Sequence, residues 1–204
     1  MILAGLVLAA GAGSRYGRPK ALVRDAGGVP WVASAVALLE SVGCTQVTVV
    51  LGASAVEARE LVPADAHVVE AVDWHSGMAA SLRAGLAAVA SAEPAADAVL
   101  LTLVDLPGLP AAVGARVVGS GTLESAAQGV SGPGVPAGLR SALRQAVFEG
   151  RPGHPTLIGR NHWPALVASL TGDRGARPYL VAHGAVEVEC GDLWHGADVD
   201  VSPG

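Results

Sequence analysis

A cluster of glycines and basic residues follows the first apolar run of the chain, residues 2–8. The glycines are Gly11, Gly13 and Gly17, and the basic residues are Arg15, Arg18 and Lys20. Glycine allows the backbone to turn tightly and to approach a ligand closely. Unpaired N–H groups in such a loop can bind an anion, and arginine can bind phosphate through two parallel hydrogen bonds. The cluster therefore predicts a polyphosphate site, with a plain surface turn as the alternative.

Two common phosphate-binding motifs do not fit this loop. A P-loop requires a lysine that follows a glycine and precedes a serine or threonine, whereas Lys20 lies between Pro19 and Ala21. A dinucleotide-binding loop requires its third glycine one position earlier and an acidic residue after the next strand. The next predicted strand, residues 46–51, continues into residues 52–54, which contain no acid. What remains is a glycine loop that carries spaced cations.

Three aspartates are candidates for binding a divalent cation. Asp105 follows an apolar run, residues 98–104, that predicts a buried strand. A carboxylate there suits Mg²⁺, which binds one or two carboxylates together with substrate phosphates; the alternative is an N-cap of the next helix. Asp198 and Asp200 lie in a predicted strand, residues 197–201, whose period of two places both side chains on one face. The alternative for this pair is two solvated acids.

Strands that alternate with helices surround these residues. The predicted strands span residues 2–8, 46–51, 67–71, 98–104, 125–128, 144–149, 186–189 and 197–201. The predicted helices span residues 30–41, 54–61, 77–90, 109–118, 164–170 and 175–182. This alternation is typical of an α/β fold with a doubly wound, mostly parallel sheet. We expect one domain over residues 1–204, with a small inserted active-site region and a glycine- and proline-rich loop at 129–138.

Ligands of open α/β sheets bind beyond the carboxyl ends of the strands. Three candidate features lie at such ends, namely the loop after residue 10, the turn at residues 76–78, and Asp105. We expect these features to meet at one edge of the sheet.

Composition restricts the classes of function. The net charge of −5 gives no overall positive field for nucleic acid. No apolar run reaches the roughly 18 residues of a membrane span, and the N-terminus lacks the basic leader of a signal peptide. Cys44 and Cys190 lie far apart in the sequence, which is typical of a reduced, cytoplasmic protein with two ordinary thiols. We expect a protein that binds a small anionic ligand.

Five motifs resemble one family in their residues and their order. They are residues 8–20 (Leu-Ala-Ala-Gly, then Ser-Arg-Tyr-Gly and Lys), 77–85 (Gly-Met-Ala-Ala-Ser-Leu-Arg-Ala-Gly), 105–107 (Asp-Leu-Pro), 153–155 with 172–177 (Gly-His-Pro and Gly-Asp-Arg-Gly-Ala-Arg), and 198–200 (Asp-Val-Asp). Together they resemble the MobA-like nucleotidyltransferases, and within them the molybdenum cofactor cytidylyltransferases. The tripeptide Ala9-Ala10-Gly11 resembles the corresponding residues of the cytidylyltransferases rather than those of the guanylyltransferases.

The resemblance implies a Rossmann-like nucleotidyltransferase fold and a Mg²⁺-dependent reaction. In that reaction, CMP passes from CTP to the phosphate of molybdenum-bound molybdopterin, and pyrophosphate is released. The implied catalytic residues are Arg15, Lys20 and Asp105, and the implied metal ligands are Asp105 and Asp200, with Asp198 second. The implied nucleotide-binding residues are Ala9, Ala10, Gly11, Gly13, Arg15, Lys20, Gly77, Met78 and Ser81. The implied acceptor-binding residues are His154, Asp173 and Arg177. The implied partners are a nucleoside triphosphate, a phosphorylated small-molecule acceptor and proteins that mature molybdoenzymes.

Three other functions stay open. Some members of this family are NAD(P)H-dependent oxidoreductases of the nicotine-blue type. Ala79 and Ala80 stand where the transferases have serines, and Leu106 stands where they often have glutamine or methionine, which leaves room for that activity. The chain could also be a regulator that binds nucleotide without turnover, or a transferase with a preference for GTP or another nucleotide.

Overall fold

A seven-stranded sheet forms the centre of the protein in a computed structural model that describes residues 1–119 and 138–200. The strands are β1 (Leu3–Ala9), β2 (Gln46–Leu51), β3 (His67–Glu70), β4 (Ala98–Leu103), β5 (Leu143–Phe148), β6 (Arg151–Gly159) and β7 (Val186–Glu189). Their order across the sheet is β3-β2-β1-β4-β6-β5-β7. Only β6 runs antiparallel to its neighbours, and all the other pairs are parallel. This confirms the predicted mostly parallel sheet.

Helices cover both faces of the sheet. They are α1 (Trp31–Ser41), α2 (Ala55–Arg59), α3 (Met78–Ser91), α4 (Ala111–Val118), α5 (Trp163–Ser169) and α6 (Arg177–Ala182). The side chains of β1 alternate between the two layers: Val7 packs in one core with α1 and α4, whereas Leu6 packs in the other with α3, α5 and α6. In the described ranges, no helix is both long and apolar enough to cross a membrane.

Close packing and backbone hydrogen bonds between neighbouring elements fix the positions of the carboxyl ends of β1 and β4. A Cβ atom at Gly85 in α3 would lie 2.7 Å from Leu6 Cδ1, so glycine lets α3 pack directly on β1. At the far end of β1, Ala53 N donates to Ala10 O, and Val104 N donates to Leu8 O. The carboxyl ends of β1, β2 and β4 are therefore held side by side.

Two predictions about the strands were wrong, and one falls outside the described residues. Strand β6 is absent from the prediction because Pro152, Gly153 and Pro155 are turn residues; the structure accommodates them opposite an irregularity in β5 between Gln145 and Val147. The predicted strand 197–201 does not form over its described residues, 197–200. The predicted strand 125–128, and the loop 129–138 apart from its last residue, lie outside the described residues.

Candidate functional site

A cavity with a volume of about 620 Å³ lies at the carboxyl edge of the sheet. It is bounded by the ends of β1 and β4, by the glycine loop, by the start of α3 and by two later segments. The lining residues are Leu8, Ala9, Ala10, Gly11, Ala12, Gly13, Ser14, Arg15, Tyr16, Lys20, Trp74, His75, Gly77, Met78, Ser81, Leu103, Val104, Asp105, Asp173, Asp198 and Asp200. All three features predicted to meet at this edge of the sheet therefore do so.

Backbone hydrogen bonds fix the conformation of the glycine loop. Tyr16 N and Gly17 N both donate to Gly13 O at 2.9 Å. Gly13 has a φ of +61°, and a Cβ atom there would lie 1.9 Å from Arg18 O, so only glycine fits. The Tyr16 ring meets the ring of Trp31 edge-on at 5.6 Å, which ties the loop to the core. The loop therefore leaves its first residues free to line the cavity.

Lys20 lies between two carboxylates that come from distant parts of the chain. Its Nζ donates to Asp105 Oδ2 and to Asp200 Oδ1, at 2.8 Å in both cases. Lys20 is positioned by a 3₁₀ turn at Lys20–Leu22, and Asp105 lies two residues beyond the end of β4. Arg15 Nη1 donates to the other oxygen of Asp200 at 2.6 Å. The predicted catalytic and metal-binding residues thus form one ion-pair network.

The pKa values in this network follow from its contacts. Burial lowers the pKa of Lys20, but the hydrogen bonds and charges of Asp105 and Asp200 outweigh it, so the pKa is raised above its usual value. The hydrogen bond from Lys20 lowers the pKa of Asp200 against a smaller opposite effect of burial, and the charges of Lys20 and Arg15 lower it further. These shifts favour the charged forms of both groups.

Asp105, Asp198 and Asp200 form a group that fits a divalent cation. One carboxylate oxygen from each lies within 4.8 Å of the others. Among the described residues, Asp105 Oδ1 is buried and has no hydrogen-bond partner. Oxygen ligands of this kind suit Mg²⁺ or Mn²⁺. The donor set and the buried, unpaired oxygen together match a hard metal ion.

The charge balance of the cavity differs from the prediction made from the loop alone. Its lining holds four carboxylates, including Asp173, against the two cations Arg15 and Lys20. A triphosphate entering this cavity therefore meets a net negative surface unless a bound cation neutralises it. The loop supplies positive charge at one wall, but the four aspartates make the net charge of the cavity lining negative.

The start of α3 forms the opposite wall of the cavity. Gly77 has a φ of +113°, and a Cβ atom there would lie 2.5 Å from Asp173 Oδ1. Ala79 N donates to Gly172 O at 3.0 Å, so the segment before α6 packs on the first turn of α3. The side chains of Met78 and Ser81 line the same wall. Asp173, predicted to bind the acceptor, thus lies next to the residues predicted to bind the nucleotide.

The structure brings most of the predicted site residues to the cavity, and two are elsewhere. Those that line it are Ala9, Ala10, Gly11, Gly13, Arg15, Lys20, Gly77, Met78, Ser81, Asp105, Asp173 and Asp200, together with Asp198. His154 is partly buried on β6, with Nδ1 3.4 Å from Leu101 O, and burial lowers its pKa. Arg177 is exposed at the start of α6. Neither side chain lines the cavity.

Sequence reasoning missed the contribution of Trp74 and His75. Both belong to a 3₁₀ turn, Trp74–Ser76, that leads into α3, and both line the cavity. Trp74 packs on the turn after β2, where a Cβ atom at Gly52 would lie 2.6 Å from its ring, and its other side faces the cavity. Its position just before the turn at residues 76–78 is the signal that could have identified it.

Comparison with known proteins identifies related chains. The family described as MobA-like NTP transferase domain matches residues 5–187. A relative, nicotine blue oxidoreductase of Paenarthrobacter nicotinovorans, is 35% identical over 208 residues, which cover 96% of this chain and 91% of the relative. This relative carries the name of one of the alternatives predicted above.

Solved structures share the fold. Rv0371c from Mycobacterium tuberculosis H37Rv is 24% identical, with a TM-score of 0.75, and the match covers 98% of this chain and 94% of that one. A complex of Rv0371c with manganese matches with a TM-score of 0.68 at 22% identity, over 93% and 89% of the two chains. A nucleotidyl transferase from Methanothermobacter thermautotrophicus has a TM-score of 0.71 at 21% identity, over 98% and 92%. These matches confirm the predicted Rossmann-like nucleotidyltransferase fold.

Proposed function

Because the chain belongs to the MobA-like NTP transferase family, we propose that it transfers CMP from CTP to the phosphate of molybdenum-bound molybdopterin, releasing pyrophosphate. The observation that carries the transferase assignment is the network of Arg15, Lys20, Asp105 and Asp200 at the mouth of the glycine loop. It combines cations for a triphosphate with carboxylates for a divalent metal. The finer parts of the proposal, CTP and the pterin acceptor, rest on the motifs at residues 9–11 and 172–177.

In this reaction an oxygen of the acceptor phosphate attacks the α-phosphorus of the nucleotide. One P–O bond forms to the acceptor, and the bond between the α-phosphorus and the bridging oxygen breaks, so that pyrophosphate leaves with the electron pair. Phosphoryl transfer of this kind needs positioning and charge neutralisation more than covalent help from the protein. The cavity is built for those two tasks.

The residues of the chain divide these tasks. The loop N–H groups after Ala10, together with Lys20 and Arg15, bind the phosphates and the charge that develops on the leaving group. Asp105 and Asp200, with Asp198 second, would hold Mg²⁺. When bound, that ion neutralises phosphate oxygens and orients them for in-line displacement. The negative lining of the cavity supports this dependence on metal, because a triphosphate alone would be repelled.

The base of the nucleotide binds on the opposite wall in this proposal. Backbone groups at Gly77 and the hydroxyl of Ser81 are available to a pyrimidine edge, and Met78 and Trp74 offer apolar surface for the ring. His154 and the exposed Arg177 do not line the cavity. In this proposal both residues contact the acceptor, which binds outside the nucleotide site. Two buried free thiols, Cys44 and Cys190, are consistent with a cytoplasmic enzyme.

Thermal-shift screening tests the proposal without knowledge of the acceptor. CTP, GTP, ATP, UTP, NADH and NADPH would each be added with and without Mg²⁺. A ligand that binds only the folded state raises the melting temperature by mass action. We expect the largest shift with CTP and Mg²⁺ together. A larger shift with GTP would indicate a nucleotidyltransferase that prefers GTP. Binding of CTP without pyrophosphate release with any acceptor would indicate a regulator that binds nucleotide without turnover.

An oxidoreductase is the second candidate, because a 35% identical relative is named nicotine blue oxidoreductase. The turn after β2, where a dinucleotide fold presents an acid to the ribose, consists here of Gly52, Ala53 and Ser54. Gly52 is in contact with Trp74, which fills the space beside it. These features favour the transferase. Saturable binding of NADH or NADPH, together with no response to any triphosphate, would instead favour the oxidoreductase.

A further inference from the structure

The last described part of the chain, residues 190–200, delivers two of the three clustered carboxylates without any helix or strand. This carboxyl-terminal segment leaves β7, passes along β5 and ends beside Asp105. A strand would be fixed by a ladder of backbone hydrogen bonds. Here Asp198 and Asp200 depend on individual contacts along the segment, so those contacts set where the two carboxylates lie.

The segment is attached at both of its ends. At its start, Cys190 N donates to Val147 O at 2.8 Å, and Arg116 Nη2 donates to Asp192 Oδ2 at 2.9 Å. At its end, Val199 N donates to Asp105 O at 3.0 Å. Lys20 and Arg15 also bond the Asp200 side chain, but partly exposed ion pairs and single hydrogen bonds each hold the segment only weakly. A further attachment lies between the two ends.

That attachment is the packing of Trp194 on Phe148. The two rings meet edge-on with their centroids 5.6 Å apart, in an aromatic contact at the end of β5. Phe148 is only 2% exposed and belongs to the core, so it provides a rigid surface. Gly196 lies on the same ring: a Cβ atom there would be 2.4 Å from Phe148 Cγ. Gly196 also has a φ of +73°, which turns the chain toward Asp105.

We propose that Trp194 is a positioning residue, which by packing on Phe148 holds Asp198 and Asp200 beside Asp105 and so assembles the metal site. The metal-binding part of this inference rests on the proposed function, whereas the placement of Asp200 does not. Trp194 is not among the residues that line the cavity. Its effect therefore passes through the three residues that separate it from Asp198, which include the turn at Gly196.

Lys20 is a built-in reporter of this placement, since it is the only lysine in the sequence. Protein labelled with ¹³C,¹⁵N-lysine gives one lysine spin system, whose Hε and Cε chemical shifts sense both carboxylates. The Asp200→Asn variant supplies the reference chemical shift for a lysine that has lost the Asp200 charge but keeps Asp105 as a partner. We expect Trp194→Ala and Gly196→Ala to move the Lys20 signal toward that reference, and Trp194→Phe to retain the wild-type position.

A second measurement reports on the metal itself. Free Mn²⁺ is counted by electron paramagnetic resonance as protein is titrated with Mn²⁺ and CTP, and the wild type is compared with each variant. We expect Trp194→Ala to weaken Mn²⁺ binding at least about tenfold, in the range seen when residues that orient metal ligands are replaced. Leu166→Ala is the control, because Leu166 is fully buried in the core on the other face of the sheet. It lowers the melting temperature without touching the segment.

The outcomes are separable. If folded Trp194→Ala keeps the wild-type Lys20 shift, or if Leu166→Ala changes that shift equally, the positioning role is overturned. If the Lys20 signal moves as expected but Mn²⁺ binds no form of the protein, the positioning of Asp200 stands and the metal-dependent transferase fails.

Discussion

The glycine loop and the carboxyl-terminal segment face each other across the same ion pairs, but they are built in opposite ways. The loop is local: residues 11–20 close on themselves through hydrogen bonds to Gly13 O. The segment at 190–200 is non-local, held to β5, Arg116 and Asp105 by contacts with distant residues. Lys20 and Asp200 come from these two regions, 180 positions apart, and meet at 2.8 Å. The conformation of the loop therefore follows from local sequence, whereas the position of Asp200 beside Lys20 requires the fold.

Loss of the residues that join the two regions has the largest expected effect. We expect Lys20→Ala or Asp105→Ala to lower turnover at least about 100-fold, the scale seen when a group that stabilises developing charge is removed. The measurement is pyrophosphate release, with circular dichroism to show that the variants fold. Near-normal release by either folded variant would refute the assigned role.

Substitution of the two aspartates in the carboxyl-terminal segment shows which of them is the stronger metal ligand. We expect Asp200→Asn to weaken Mn²⁺ binding in the presence of CTP by at least about tenfold, and Asp198→Asn to weaken it less. Asp200 already bonds Lys20 and Arg15, whereas Asp198 is exposed. The same electron paramagnetic resonance titration gives both affinities, and an equal or reversed order would contradict the ranking.

Removing the loop's cation tests whether it competes with the metal. Lys20 Nζ lies between Asp105 and Asp200, at 2.8 Å from an oxygen of each. We therefore expect Lys20→Met to bind Mn²⁺ more tightly than the wild type in the absence of nucleotide, by about tenfold, because a nearby positive charge is removed. Calorimetry without nucleotide measures this, and Arg15→Met is the matched control with an exposed cation. Unchanged or weaker binding by Lys20→Met would show that the ammonium and the metal do not compete.

The smallest effect is on stability and depends on pH. The pKa of Asp200 is lower in the folded protein, so its ion pairs stabilise the fold above the unfolded pKa of about 3.9. That contribution disappears as the pH falls through the folded value. We expect the difference in free energy of unfolding between the wild type and Asp200→Asn to stay within about 1 kcal/mol at pH 7, since the pair is partly exposed. Urea titrations from neutral pH to below pH 3 should show it shrinking, and a difference that grows on acidification would contradict this sign.

The parts of the fold that the sequence predicted are those with strong local patterns. Strand β2 matches its predicted bounds, and β1 and β4 differ by one residue at one or both ends, because buried runs of Val, Leu and Ala leave little ambiguity. Strand β7 also matches its predicted bounds, through an alternation of Val and Glu on a mostly exposed edge strand. Strand β6 was missed because its prolines are accommodated by an irregularity in the partner strand, which only the sheet reveals. The local sequence pattern of one strand does not reveal the geometry of the strand that pairs with it.

The candidate site divides in the same way. The loop, Asp105 and the start of α3 follow from their positions at strand and helix ends. Asp198 and Asp200 were identified by their spacing, but the predicted strand was wrong, since the segment packs on Phe148 instead of joining the sheet. Trp74 was not predicted as a site residue, because its place in the cavity wall depends on how it packs on the turn at Gly52.

Calorimetric titration of CTP, with Mg²⁺ and with EDTA, tests the central claim most directly. We expect CTP to bind only when the metal is present, and Asp105→Asn to abolish this binding while the protein stays folded. Binding of NADPH, with no binding of any nucleoside triphosphate under either condition, would contradict the account.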